Sequence, residues 1–181
     1  ARRASLGLFV AFSVVELGFD APLLLSVTAG ALAVVTAWRL RAWHVRDLWR
    51  EPLLWGLYLA LIAIEAGFVL YALAAPFALP HTLALHAFAA GGIGLATLAM
   101  MARVTLGHTG RDIRRPSPLV GAALALLTAG VVARVLLPLV WPTAYTLAVT
   151  AAQALWAAAF AVFVVGHSAM LIGPRIDGAN G

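Results

Sequence analysis

The five histidines are the residues of this sequence best suited to bind a metal ion or a haem iron, because neutral imidazole is a common metal ligand. His81 and His86 stand near the start of one long apolar segment. The other three stand close to the ends of apolar segments: His44, His108 and His167. There is no cysteine, which excludes disulfides, thiolate-ligated haem and iron–sulfur clusters.

The spacing between the histidines limits which of them can share a site. On one continuous helix, His86 and His108 are roughly 33 Å apart at about 1.5 Å per residue, so they cannot bind the same metal ion. A site with several histidines must take them from one end of the helices. His44, His108 and His167 form the candidate set, and three imidazoles suit copper or zinc. The alternative is three separate histidines at the membrane interface.

His86 also begins a face whose members recur at helical spacing. The face continues through Ala90, Ile93, Thr97 and Met100. The glycines beside it would let either a flat macrocycle or another helix approach closely. One interpretation is therefore a haem site in which His86 is the axial ligand and Thr97 a further contact. The other is a close-packed helix with an interfacial histidine.

Charged groups within apolar segments are costly and are functional candidates by default. Glu16 and Arg134 are expected at similar depth, either as a structural ion pair or as a propionate anchor or proton path beside a cofactor. Glu65 lies near the middle of its segment without an obvious partner and is predicted to be a buried carboxyl. Tyr58 stands seven residues before it on the same helix face. It is either another cofactor contact or a tyrosine bonded to a neighbouring helix.

The composition predicts the elements that carry these residues. Hydrophobic residues make up 64% and charged residues 10%, with a mean hydropathy of +0.99, whereas a soluble domain is about 25% charged. The apolar runs have the length of helices that cross a hydrocarbon core of roughly 30 Å and lack the alternation of a β-barrel. We expect an all-α membrane protein with one domain over residues 1–181. Its six predicted spans are residues 4–19, 22–41, 52–75, 81–106, 117–137 and 143–172.

Arginine placement predicts the orientation. All 12 basic residues are arginines, and all except Arg134 fall on one side of the predicted spans. That side is expected in the cytoplasm, and short linkers make consecutive helices antiparallel. Both termini are then cytoplasmic, in the inner membrane of a bacterium. The partner implied is the lipid bilayer rather than nucleic acid, because the arginines lie at helix ends.

The fourth segment, LHAFAAGGIGLATLAMMARVTLGHTGR, resembles the NnrS family of bacterial membrane proteins. The similarity lies in an opening Leu-His-Ala, a Gly-Ile-Gly core, a Met-x-Arg-Val close and a final Leu-Gly-His-Thr-Gly-Arg. These positions are Leu85–Ala87, Gly92–Gly94, Met101–Val104 and Leu106–Arg111. Two shorter similar stretches are Pro52–Trp55 and Pro174–Gly178. Together they cover most of residues 48–181.

The resemblance implies haem b and copper as cofactors and a part in the nitric oxide response. His86 and His108 match histidines of the family pattern, so the resemblance implies that they are site residues. It also implies that this chain, which starts at Ala1, is the C-terminal half of a protein with about twelve spans. Family members often have a histidine where Tyr58 stands. A second hypothesis follows, in which the chain binds no cofactor and is an accessory subunit of a larger respiratory or photosynthetic complex.

No catalytic residue is predicted, because the sequence has no nucleophile–base pair, phosphate loop or carboxylate pair on one face. A transporter is the weakest interpretation, because there is no inverted repeat. The fourth helix is expected to end at Gly107. His108 then lies in the following loop, either as a ligand with His44 or His167 or as a turn residue.

Overall fold

Every regular element in the described part of the chain is helical. The computed structural model describes residues 2–176 and residue 178, so Ala1 and Asp177 of the sequence interpretation lie outside it. Six long helices make up most of the fold. They are α1 (Arg2–Gly18), α2 (Pro22–Arg41), α3 (Pro52–Phe77), α4 (His81–His108), α5 (Pro118–Val135) and α6 (Tyr145–Ile172).

Five of these helices, α2 to α6, are long and apolar enough to cross a membrane. The prediction of an all-helical fold is confirmed for the described residues, and the apolar character of these five helices suits a lipid bilayer. The first helix, α1, has 17 residues, fewer than the about 20 that a perpendicular crossing needs. Six crossings, and the position of the termini that follows from them, therefore stay predictions.

Neighbouring helices run antiparallel, as their side-chain register shows. Between α2 and α3, the Ser26 hydroxyl donates to the carbonyl of Tyr71 at 3.4 Å, and the Thr36 hydroxyl donates to the carboxylate of Glu65. Residue numbers in these pairs increase along α2 while they decrease along α3, so the two helices are antiparallel. Between α5 and α6, a Cβ at Gly130 would lie 3.3 Å from Leu155, and one at Gly166 would lie 3.2 Å from Leu119. The order is reversed in the same way.

Two packed cores divide the bundle along its length. The first joins α1, α2, the second half of α3, the start of α4 and the end of α5, and includes Phe68 and Tyr71. The second joins the start of α3, the end of α4, α5 and α6, around Leu98, Leu124 and Leu127. Because α3 and α4 contribute to both cores, these two helices hold the bundle together.

The middle of α4 is a π-helix. Ala87–Gly94 forms it, between α-helical segments at His81–His86 and Leu95–His108. A Cβ at Gly91 would overlap that of Ala63, and one at Gly92 would lie 2.6 Å from Ile64 Cγ1. These glycines therefore allow α3 to approach α4 closely.

The end of α4 differs from the expectation. The N–H of Gly110 bonds to the carbonyl of Gly107 at 3.3 Å, and the N–H of Arg111 bonds to that of Leu106 at 2.9 Å. With φ of 73° at Gly110, this is a Schellman motif, which needs a left-handed residue just past the helix. Gly110 therefore fills that position, and the prediction that Gly107 ends the helix is wrong. His108 lies in the last helical turn.

Substituting Gly91 tests the α3–α4 contact. Gly91→Ala is expected to lower the free energy of unfolding by about 1–3 kcal/mol, because the added methyl group must displace Ala63. Gly7→Ala in α1 is the matched control: its Cβ meets nothing within 4 Å, and alanine is the better helix former. Thermal unfolding in mild detergent compares the two. Equal unfolding midpoints would contradict the close contact.

Candidate functional site

The first candidate site is a cavity of about 280 Å³ between α4, α5 and α6. Its polar wall residues are His86, Arg134 and Gln153, and Trp156 and Leu127 are among its apolar ones. The close approach of α5 and α6 at Gly130, which also lines the cavity, brings Arg134 and Gln153 into one wall. An imidazole, a guanidinium and an amide thus meet within a mainly apolar surface.

The hydrogen bond of His86 determines which of its ring nitrogens is free. Nδ1 bonds to the backbone carbonyl of Thr82 in the preceding turn. A carbonyl only accepts, so Nδ1 carries the proton, and in the neutral ring Nε2 keeps its lone pair. Histidine ligands of metals characteristically donate their other N–H in this way, which fixes the tautomer and the ring orientation. His86 is therefore prepared to accept a bond through Nε2.

Arg134 and Glu16 each have another partner. The carboxylate of Glu16 accepts a hydrogen bond of 3.0 Å from the hydroxyl of Tyr71, while the guanidinium of Arg134 lies 5.6 Å from the ring centroid of Tyr145. Among the described residues the two form no ion pair. The two residues do not meet because α1 packs against α2 and α3 and not against α5. The rings of Phe12 on α1 and Tyr71 on α3 are 5.2 Å apart. Arg134 stays beside the His86 cavity.

Only the beginning of the predicted haem-binding face lines this cavity. His86 and Ala90 line it, but Ile93 is 67% exposed, Met100 is 45% exposed and Thr97 is exposed as well. The π-helical segment explains the difference, because its i→i+5 bonding changes the angular step and breaks the α-helical phase. Thr97 therefore lies on an exposed side of α4 and not with His86.

Tyr58, the other predicted cofactor contact, lies at the opposite end of the bundle from His86. It is buried, and its ring is 5.7 Å from that of His44 and 5.9 Å from that of Trp49. Tyr58 thus belongs to an aromatic cluster at the start of α3. Trp49 is carried by a short 3₁₀ helix, Arg46–Arg50, that precedes α3.

The three histidines of the predicted copper site have different surroundings. His44 is exposed beside Trp49, and His108 is exposed in the last turn of α4, whereas His167 is completely buried in α6. Within residues 2–176 and residue 178, no group of three or more His, Cys, Asp or Glu side chains could hold a metal ion.

His167 was singled out in the sequence as a metal ligand, but its complete burial against Phe163 was not predicted. Its side chain is 0% exposed, Nδ1 bonds to the carbonyl of Phe163 at 2.9 Å, and its ring stacks on Phe163 at 4.3 Å. Nε2 is buried and has no hydrogen-bond partner among the described residues. No cavity described beside the bundle includes His167. The four-residue spacing from Phe163 was the available signal, because it places both rings on one helix face.

A second polar cavity, of about 260 Å³, lies between α2 and α3 and contains Thr36, Arg39 and Glu65. Glu65 is partly exposed and bonded to Thr36, so the prediction of a buried carboxyl without a partner is wrong. Arg39 Nη1 donates to the hydroxyl of Ser5 at 3.3 Å. Simple antiparallel pairing would not have predicted this contact, because Thr36 lies five residues before the end of α2 and Glu65 lies 13 residues after the start of α3.

A comparison with protein families places these features in context. The family model described as NnrS protein matches residues 1–175, which includes the first two helices as well as the motifs of α4. The match is thus wider than the resemblance over residues 48–181. No curated protein and no solved structure matches the chain.

Two substitutions at His167 distinguish packing from ligand binding. His167→Phe is expected to leave the free energy of unfolding unchanged or higher, because it fills the space and removes an unpaired buried nitrogen. His167→Ala is expected to cost about 2–5 kcal/mol, because it leaves a cavity. Thermal unfolding of both variants measures this. A loss for His167→Phe as large as that for His167→Ala would mean that Nε2 has a ligand.

Proposed function

Because the chain belongs to the NnrS family, we propose that it is a multi-pass membrane protein that binds haem b through His86. The role proposed with it is in the nitric oxide response with which that family is associated. The observation that carries the proposal is the free Nε2 of His86 in the wall of a cavity that also contains Arg134. A neutral imidazole and a nearby cation are the groups that a haem iron and its propionates require.

The chemistry of the cavity wall fits a haem. His86 would bind the iron through Nε2, Arg134 would neutralise a propionate, and Trp156 would pack against the macrocycle. The volume of about 280 Å³ is slightly below the range of about 300–1,000 Å³ for small-molecule pockets, so part of the macrocycle would meet lipid. When bound, haem supplies an iron that coordinates diatomic ligands such as nitric oxide.

The residues of this chain would control that iron by fixing the orientation of His86. The Thr82 carbonyl holds Nδ1–H, which raises the basicity of Nε2 and keeps the ring from turning. The proposal does not include copper, because His44, His108 and His167 have three different surroundings.

We also propose that α1 crosses the membrane with the other five helices, so that both ends of the chain are in the cytoplasm. The register of α1 supports this. Ser5 near its start bonds to Arg39 at the end of α2, and Glu16 near its end bonds to Tyr71 in the last third of α3. These contacts place α1 lengthwise beside the second half of α3, and arginines are concentrated at the end of α2 that carries Arg39. A bacterial inner membrane suits this arrangement.

Labelling of single cysteines tests this topology, since the natural chain has none. Arg3→Cys and Asp112→Cys are expected to react with a membrane-impermeant maleimide only after cells are opened, whereas Asp20→Cys reacts in intact cells. If α1 does not cross, Arg3→Cys will react in intact cells like Asp20→Cys.

Absorption spectra of the purified protein, oxidised and reduced, test haem binding. The unsubstituted chain is expected to show a Soret band, and His86→Ala is expected to lose it because the axial ligand is gone. His81→Ala is the matched control: His81 stands on the same helix end but packs against Tyr71 at 5.4 Å and does not line the cavity.

Arg134→Gln is expected to retain the Soret band with weaker haem affinity, by about tenfold for the loss of one charge-assisted bond. Titration of the apoprotein with haem measures this. A colourless protein that cannot be reconstituted, or equal loss in the His81 and His86 variants, would overturn the proposal. The accessory-subunit hypothesis would then be tested by co-purification.

A further inference from the structure

A third cavity, unrelated to the haem proposal, lies at the end of the bundle where α3 begins and α4 finishes. Its volume is about 540 Å³. Three arginines and two acidic residues contribute to its wall, together with apolar side chains from the first turn of α3. The charged members are Arg103, Arg111, Arg114, Glu51 and Asp112. Their formal charges leave one positive charge in excess.

Arg111 gives the strongest indication that the cavity takes an anion. Its Nη1 is buried and has no hydrogen-bond partner within the described part of the chain. Buried polar atoms are nearly always paired, and an uncompensated buried charge is costly. The Schellman bond from the N–H of Arg111 to Leu106 at 2.9 Å fixes its backbone. The backbone of Arg111 is therefore held in place, and this nitrogen of its guanidinium has no acceptor within the described residues.

The neighbouring acid does not supply that acceptor. Asp112 Oδ1 accepts the backbone N–H of Arg114 at 2.9 Å, and its Oδ2 lies 4.0 Å from Nε of Arg115, which does not line the cavity. The loop is further fixed where Ser117 caps α5 by accepting the N–H of Leu119 at 3.3 Å. Arg111 and Arg114 thus stand on a preorganised turn, which lowers the entropic cost of binding.

We propose that this cavity binds the negatively charged phosphate group of an anionic phospholipid, held by Arg103, Arg111 and Arg114. A guanidinium presents paired N–H donors that match phosphate oxygens. The location favours a lipid, because the cavity lies at the ends of two apolar helices, where headgroups are found. Leu54 in its wall is 44% exposed and offers an apolar surface to an acyl chain.

The test is lipid binding by the full chain purified in mild detergent. Phosphatidylglycerol, phosphatidylcholine and inorganic phosphate are titrated separately, and binding is followed by native mass spectrometry and by the thermal unfolding midpoint. Phosphatidylglycerol is expected to bind more tightly than phosphatidylcholine and to raise the midpoint. Arg111→Gln is expected to weaken that binding about tenfold.

Two further variants make the test independent of folding defects. Arg114→Gln changes an exposed cavity arginine, and a loss of about fivefold is expected. Arg115→Gln is the matched control, because Arg115 is exposed in the same loop but does not line the cavity; its affinity should not change. Competition by inorganic phosphate that depends on Arg111 would support the phosphate site and identify free phosphate as an alternative source.

Three outcomes would overturn the proposal. One is equal binding of phosphatidylglycerol and phosphatidylcholine together with no binding of inorganic phosphate. Another is a loss in Arg115→Gln as large as that in Arg111→Gln. The third is unchanged affinity in both Arg111→Gln and Arg114→Gln. Haem spectra of these variants are expected to match that of the unsubstituted chain, so the outcome is separate from that of the haem proposal.

Discussion

The close approach of α3 and α4 at Gly91 and Gly92 is the contact on which the rest of the structure depends. Lipid offers no hydrophobic drive for helices to associate, so small residues that let backbones pack closely take that part. A π-helical segment occupies the same stretch of α4. Together they hold α3 against one side of α4 and direct His86 and Ala90 toward α5 and α6, where the first cavity forms.

The positions of the helices along the chain could be predicted from the sequence. Which face of each helix packs against its neighbours was harder to predict. Hydropathy and proline placement fixed each span to within two residues of the helix found, because desolvation of the backbone in lipid leaves little choice. The face through Thr97 was wrong because its phase assumed α-helical geometry throughout. The sequence likewise did not predict which helices are neighbours. Glu16 and Arg134 were assigned similar depths in the membrane, yet they lie on helices that do not bring them together.

Nε2 of His167 and Nη1 of Arg111, both buried without a hydrogen-bond partner among the described residues, can be compared with Nε2 of His86 by the space around each residue. Nε2 of His167 is enclosed by packed side chains and lines no described cavity, so its environment is that of a core residue. Nε2 of His86 and Nη1 of Arg111 belong to residues that line cavities. A ligand in either cavity would meet the side chain of His86 or Arg111, whereas His167 lines none of the described cavities, which is why only His86 and Arg111 carry binding proposals.

The two proposed sites differ in chemistry because they lie at opposite ends of α4. The His86 cavity offers one neutral ligand and one cation within apolar walls, which suits a large apolar cofactor with a charged edge. The Arg111 cavity offers several cations next to an exposed leucine, which suits a charged headgroup with an apolar tail. About 33 Å of helix separates residues 86 and 108, far beyond the distance at which substitutions normally couple. Each site can therefore be altered without changing the other.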